Sequence, residues 1–330
     1  MIFETPVVQA PMAGGASRPE LVVAVAEAGG LGFLAAGYKT AAQVRDEITQ
    51  VRARTGRPFG VNVFVPGDDP VDRAAVHAYQ QRLRPEAERL GVELGEPKGG
   101  DDDWDAKLAD LLRDPPPVVS FTFGCPSAEI LRAFKERGTV TVVTVTSAAE
   151  ARAAQAADML CVQGVEAGAH QGGFHNDSLD GLELLPLLAE VAKVTAQPLI
   201  AAGGLGDAQD LARVLAAGAI AGQFGTAFLR CPESGASPVH KAALADPRFT
   251  GTALTRAFSG RPARGLVNRF MSEHQAAAPA AYPEIHNLTS PLRKAAAAQR
   301  DPGTMALWAG RAYRKATTAP AAETVRRLAG

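Results

Sequence analysis

The chain has 330 residues, long enough for one large domain with an appended element. Its 34 basic and 35 acidic side chains give a formal net charge of −1, which favours neither nucleic acid nor an anionic membrane as a partner. The three cysteines, Cys125, Cys161 and Cys231, are odd in number and far apart, so they make no disulfide framework and no zinc spacing, and a reducing cytoplasm is the expected compartment. The opening residues Met1-Ile2-Phe3-Glu4 lack a basic leader, so no signal peptide is expected. The longest apolar stretch, 21–36, is broken by Glu27 and Gly29-Gly30 and does not read as a membrane span.

Eight apolar runs of strand length follow in order, at 7–12, 31–37, 59–65, 118–124, 139–145, 158–164, 198–204 and 222–229. Continuous apolarity suits strands buried on both faces. The segments between them carry helix signals. Pro19-Glu20 suits a first turn, and Gly29-Gly30 ends that helix. Thr40 to Gln43 and Ser147 to Glu150 have capping-box spacing. Ser127 and Asp207 stand at cap positions, with Gly138 and Gly218 at the far ends. Strand alternating with helix eight times predicts an α/β fold, a (β/α)8 TIM barrel rather than an open sheet.

Two stretches break the rhythm. Residues 66–117 hold a helical piece at 71–90 and a polar acidic loop at 95–105. Residues 232–300 match no barrel unit and predict a small, mostly helical lid domain after strand eight. In it, Arg256, Arg261 and Arg264 read as solvated or structural. The last stretch, 304–328, reads as helical and returns to the barrel. The expected division is a barrel at 1–231, the lid at 232–300 and a C-terminal helix at 301–330.

Active sites of such barrels lie at the C-terminal strand ends. At the seventh and eighth ends stand Gly203-Gly204 and Gln223-Phe224-Gly225-Thr226. A phosphate needs converging backbone N–H groups, and glycine removes the Cβ atoms that obstruct them. This corner implies a phosphorylated ligand, either cofactor or substrate. Asn62 and Gln163, at the third and sixth ends, are neutral amides that suit ring heteroatoms or are simply satisfied locally. His170 lies in a glycine-rich loop after strand six and can accept a proton. His170, His175 and Asp177 admit a metal reading, but no fourth ligand stands out and no metal is expected. His77, His240, His274 and His286 show no constellation. Cys125 reads as packing. There is no serine-hydrolase elbow and no P-loop.

Ala10-Pro11-Met12-Ala13-Gly14, Phe59-Gly60-Val61-Asn62, Gln163-Gly164-Val165-Glu166-Ala167-Gly168, Ala201-Ala202-Gly203-Gly204-Leu205 and Gln223-Phe224-Gly225-Thr226 together resemble the nitronate monooxygenase family, formerly called 2-nitropropane dioxygenases. Leu307-Trp308-Ala309-Gly310 extends the similarity towards the C-terminus. The resemblance implies an FMN-binding barrel. Ala10, Pro11 and Met12 would lie against the flavin, and Asn62 and Gln163 would bond its ring or ribityl chain. Gly168, Gly203, Gly204, Gln223, Phe224, Gly225 and Thr226 would hold the phosphate, with His170 as the active-site histidine. The implied reaction is oxidation of an alkyl nitronate, or of a nitroalkane, by O2 to a carbonyl compound and nitrite through a flavin semiquinone. An NAD(P)H:quinone or enoyl-thioester (enoyl-ACP) reductase is the alternative. No nucleic-acid or membrane partner is expected, and a homodimer is an open option. The chain departs from the family pattern at Ala169 (glycine expected), Cys125 (apolar expected) and Arg311 (glutamine expected). The substrate is therefore less determined than the cofactor.

Overall fold

The computed structural model describes residues 2–176 and 178–330. Eight strands pair in parallel and close into a barrel. They are β1 (Val7–Gln9), β2 (Leu31–Ala35), β3 (Gly60–Phe64), β4 (Val118–Thr122), β5 (Val140–Val145), β6 (Met159–Gln163), β8 (Leu199–Ala202) and β9 (Ala221–Phe224), with β9 returning to β1. Outside the barrel, β7 (Ala169–His170), β10 (Thr252–Thr255) and β11 (Ala263–Leu266) form a small antiparallel sheet. The helices are α1 (Pro19–Glu27), α2 (Ala41–Arg52), α3 (Arg73–Leu90), α4 (Trp104–Arg113), α5 (Ala128–Lys135), α6 (Ala148–Ala153), α7 (Leu184–Ala192), α8 (Ala208–Ala216), α9 (Thr226–Leu229), α10 (Pro238–Ala243), α11 (Arg269–His274), α12 (Glu284–Ala298) and α13 (Ala321–Ala329). None of them is long and apolar enough to cross a membrane.

All eight apolar runs become barrel strands. The eighth differs most, because the chain leaves the sheet after Phe224 and turns into α9. Two-residue alternation sorts the strand side chains into two cores. Val8, Leu31, Phe33, Val118, Val142, Cys161, Ile200 and Ala221 pack together within the barrel. Val7, Val61, Val119, Val143, Leu160, Val162 and Ala201 face the helices. Each such side chain contributes about 1.5–3 kcal/mol when fully buried.

The caps follow the sequence signals. Thr40 and Gln43 make a full capping box at α2. Ser127 and Asp207 accept from backbone N–H groups of α5 and α8. At α6 the box is half made. Ser147 accepts from Glu150 N, while the Glu150 carboxylate turns to Thr146 and to Phe174 N. The capping carboxylate thus ties α6 to the loop that carries His170.

Residues of the 232–300 stretch, Phe258, Phe270, Ile285 and Leu288, share a second core with Tyr79 and Leu83 of α3. The lid helix α12 packs on α3, so part of the 66–117 connection shares this core. The Tyr79 hydroxyl donates to Ala257 O at 2.8 Å. The acidic run is more than a solvated loop: Asp102 accepts from Tyr38 N at 2.8 Å and Asp103 from Ala41 N at 2.8 Å. It therefore caps the entry to α2 and fixes Tyr38. The C-terminal stretch is α-helical only at α13, with a short 3-10 turn at Tyr313–Lys315, because Pro302, Gly303 and Gly310 break the earlier part. There Trp308 bridges to Gly265, and α13 packs against α1 and α8.

Candidate active site

The C-terminal strand ends open into a cavity of about 420 Å³ roofed by the lid. Ala10, Pro11, Met12, Asn62, Gln163, Gly168, His170, Gly203, Gly204, Gln223, Gly225 and Thr226 all line it. Phe224 does not. Its ring is fully buried in the core facing the helices, and only its carbonyl takes part, accepting Ala10 N–H. Strand alternation decides this: Gln223 points in, so Phe224 points out.

The corner between β8 and β9 is built from backbone. Gly203 and Gly204 have φ +117° and +69°, conformations an L side chain rarely adopts. A Cβ on Gly203 would lie 2.9 Å from Gly164 O. The C-terminal segment closes the corner from outside: Gly310 N donates to Thr226 Oγ1 at 2.9 Å. A Cβ on Gly168 would lie 2.5 Å from Gly310 N, so the two backbones touch.

The amides differ in what they have to spare. Asn62 Oδ1 accepts from Ser120 Oγ at 2.8 Å and Thr122 Oγ1 at 2.9 Å. Its Nδ2 donors are left for the cavity. Gln163 is engaged at both ends, accepting from Gly172 N at 2.7 Å and donating to His170 O at 3.3 Å. It holds the histidine loop in place as much as it faces a ligand.

His170 sits in β7, which the lid strand β11 pairs with directly. Its Nε2 lies 2.9 Å from Ser259 Oγ. Ser259 Oγ also lies 3.2 Å from Arg261 O and 3.4 Å from Arg261 N, so its hydroxyl can give its proton to Arg261 O or to the imidazole. Burial, then the charges of Arg261 and Arg293, push its pKa down to about 3, so the ring is neutral. Phe123, Tyr282 and Trp308 surround it with centroids at 5.5–6 Å, namely 5.7, 5.6 and 5.7 Å. Phe123 and Ala169 have φ +76° and +61°. The alanine therefore adopts the left-handed geometry for which a glycine is expected.

The lid supplies residues that the sequence did not mark. Arg261 is buried, with its guanidinium 4.0 Å from the centre of the Phe123 ring and donating to Gly173 O. Of the two readings made for it, solvated or structural, the structural one fits: it is buried and held by a backbone carbonyl. Arg293 lines the cavity. Burial lowers the pKa of both. Among the described residues, neither makes an ion pair with a carboxylate. His286 and His240 also line the cavity, so the absence of a histidine constellation was a misreading. His286 stacks on Tyr38 at 4.0 Å, and His240 Nε2 meets Trp308 O at 2.9 Å. No local motif marks these groups, because they converge from separate helices and loops.

Other candidates lie elsewhere. Arg264 donates to Val165 O, Arg256 contacts Asn176, and Arg311 pairs with Glu183 at the surface. Burial raises the Cys125 thiol pKa, which leaves it unreactive. His175 is exposed beside Asp69, away from the His170 contact with Ser259, and Asp177 lies outside the described residues. Glu86, Glu273 and His274 in the lid have metal-ligand spacing, but Arg269 and Arg89 already occupy the Glu86 oxygens.

Polar groups gathered at the strand ends of a parallel barrel, under a lid, define a TIM-barrel enzyme. The nitronate monooxygenase family model matches residues 1–330. A probable nitronate monooxygenase of Staphylococcus aureus (strain MSSA476) is 37% identical over 327 residues, spanning 97% of this chain and 92% of that one. The structure of nitroalkane oxidase from Streptomyces ansochromogenes superposes with a TM-score of 0.97 at 56% identity, covering 99% and 95% of the two chains. FabK from Thermotoga maritima gives 0.76 at 26% identity, covering 99% and 92%. The chain belongs to the nitronate monooxygenase family, whose members are flavin-dependent oxidoreductases.

Proposed function

We propose that the protein oxidises alkyl nitronates with O2 to carbonyl compounds and nitrite, with FMN held in the barrel mouth. The observation that carries this reading is the buried Arg293 guanidinium on the cavity wall, with the neutral His170 on the same wall and no carboxylate partner among the described residues; buried Arg261, packed on Phe123, adds a second positive charge. Buried positive charge is costly unless an anion completes it, and a nitronate is such an anion.

The residues present fit FMN. The Gly203-Gly204 and Gly225-Thr226 backbone would take the phosphate, Gly168 would close that corner, and Asn62 Nδ2 would donate to the ring. FMN, when bound, supplies the redox centre between nitronate and O2. Conversion to a carbonyl compound and nitrite is a two-electron oxidation, which balances with one O2 shared by two nitronates, or with one O2 and one water per nitronate and release of H2O2. The lid and the Phe123, Tyr282 and Trp308 rings exclude water, which strengthens the attraction of the arginines for the anion.

In the tautomer that donates Nε2–H to Ser259, His170 accepts the α-proton of a neutral nitroalkane at Nδ1. With a pKa of about 3 it is a weak base, and a proton there joins two guanidiniums. The nitronate formed at the same time offsets that charge. Preformed nitronates are therefore the better substrates. His170→Ala is expected to lower turnover of a neutral nitroalkane by about 10²–10⁴ while the protein keeps its flavin. The checks are nitrite release and flavin absorbance. Unchanged nitroalkane turnover would remove His170 from this role.

A further inference from the structure

We propose that His286 is a substrate-binding residue whose Nε2–H donates to an oxygen of the anionic substrate, with Arg293 holding it in that tautomer. The assignment rests on the nitronate reading. His286 stands on α12 and lines the cavity, its ring stacked on Tyr38 with an interplanar angle of 5°. Its Nδ1 lies 3.3 Å from Arg293 Nη2. A guanidinium can only donate, so Nδ1 must be the acceptor. A neutral imidazole with Nδ1 accepting carries its hydrogen on Nε2. Arg293 is itself fixed within the same helix. Its Nη2 donates to His286 O at 2.9 Å and its Nε to Thr289 Oγ1 at 3.1 Å. Burial and the adjacent guanidinium keep the ring neutral, with its pKa pushed down to about 2.

The cavity histidines differ in which ring nitrogen is already engaged. His170 has its Nε2 engaged by Ser259 at 2.9 Å, and His240 has its Nε2 engaged by Trp308 O at 2.9 Å. His286 offers an N–H at Nε2, for which no partner is seen among the described residues. Nitronate oxygens are acceptors. His286, whose Nδ1 accepts from Arg293, can meet them with its N–H.

The test uses the flavin-loaded protein with a preformed alkyl nitronate. His286→Phe keeps a ring against Tyr38 and removes the donor. It is expected to raise KM about tenfold, with flavin content and melting temperature unchanged. His286→Gln places an amide N–H near the Nε2 position and is expected to return KM to within about threefold of the parent. Should His286→Phe fail to fold, His286→Asn decides instead: its amide reaches only the Nδ1 position, so KM rises as for the donor loss. A KM for His286→Phe equal to the parent's overturns the assignment. So does a His286→Gln no better than His286→Phe, or a His286→Asn at the parent's KM. An active parent with such a result leaves the nitronate reading standing, whereas a parent inactive on nitronates overturns both.

Discussion

The barrel wall of the cavity and its lid wall are built by different means. On the barrel side the working groups are backbone, shaped by Gly203 and Gly204 at positive φ and closed by Gly168 against Gly310. On the lid side they are side chains: Arg293 and His286 come from α12, and behind His170 stand Ser259 and Arg261 from the turn before β11. A backbone cradle depends on the absence of Cβ atoms and tolerates little change. A side-chain wall can be retuned one residue at a time. The barrel side suits a constant cofactor, and the lid side suits choice of substrate.

The largest effect is expected from Gly203→Ala. The new Cβ would meet Gly164 O at 2.9 Å in a conformation closed to L residues. Strain of about 2 kcal/mol or more in the corner should strip most of the flavin from the purified protein, which an absorbance spectrum reads. Full flavin retention would break the contrast, because the lid variants at His286 are expected to keep theirs.

Next is Arg269→Met in the lid. Arg269 reaches both oxygens of Glu86, with Arg89 as a second partner. The Arg269 hydrogen bonds, more than the others, hold the Glu86 carboxyl down to about 2 from its ordinary 4.5. A depressed acid contributes stability that is complete above the ordinary value and is lost as pH falls towards 2. The variant is expected to lose about 2 kcal/mol at pH 7 and to show a flatter decline between pH 4.5 and 2, by denaturant melts. Equal melts at pH 7 would show that the lid does not depend on this network.

The smallest effect is expected at Ala169, whose φ of +61° strains a non-glycine residue. Ala169→Gly should stabilise the protein by up to about 1 kcal/mol and leave flavin content unchanged. A destabilised variant would mean that the alanine methyl packs usefully beside His170.

The contrast also explains what could be read from the chain. Barrel strands announce themselves as apolar runs, and the phosphate corner as glycines at strand ends, because both depend on local order in the sequence. Phe224 was misplaced because a motif was carried over whole, although alternation turns every second side chain outward. The lid wall was missed because its contacts span long separations. Ser259 meets His170 across 89 positions, and Asp102 reaches Tyr38 across 64. The hairpin β10–β11 that clamps β7 escaped because β7 is two residues long. Arg293 and His286 carry no signature apart from the helix that displays them.

The most direct measurement is anaerobic mixing of the purified yellow protein with a preformed alkyl nitronate and, separately, with NADPH. The account predicts rapid loss of oxidised-flavin absorbance with the nitronate, slow loss with NADPH, and nitrite once air is admitted. Rapid bleaching by NADPH with none by the nitronate would contradict it and make the protein a pyridine-nucleotide-dependent reductase.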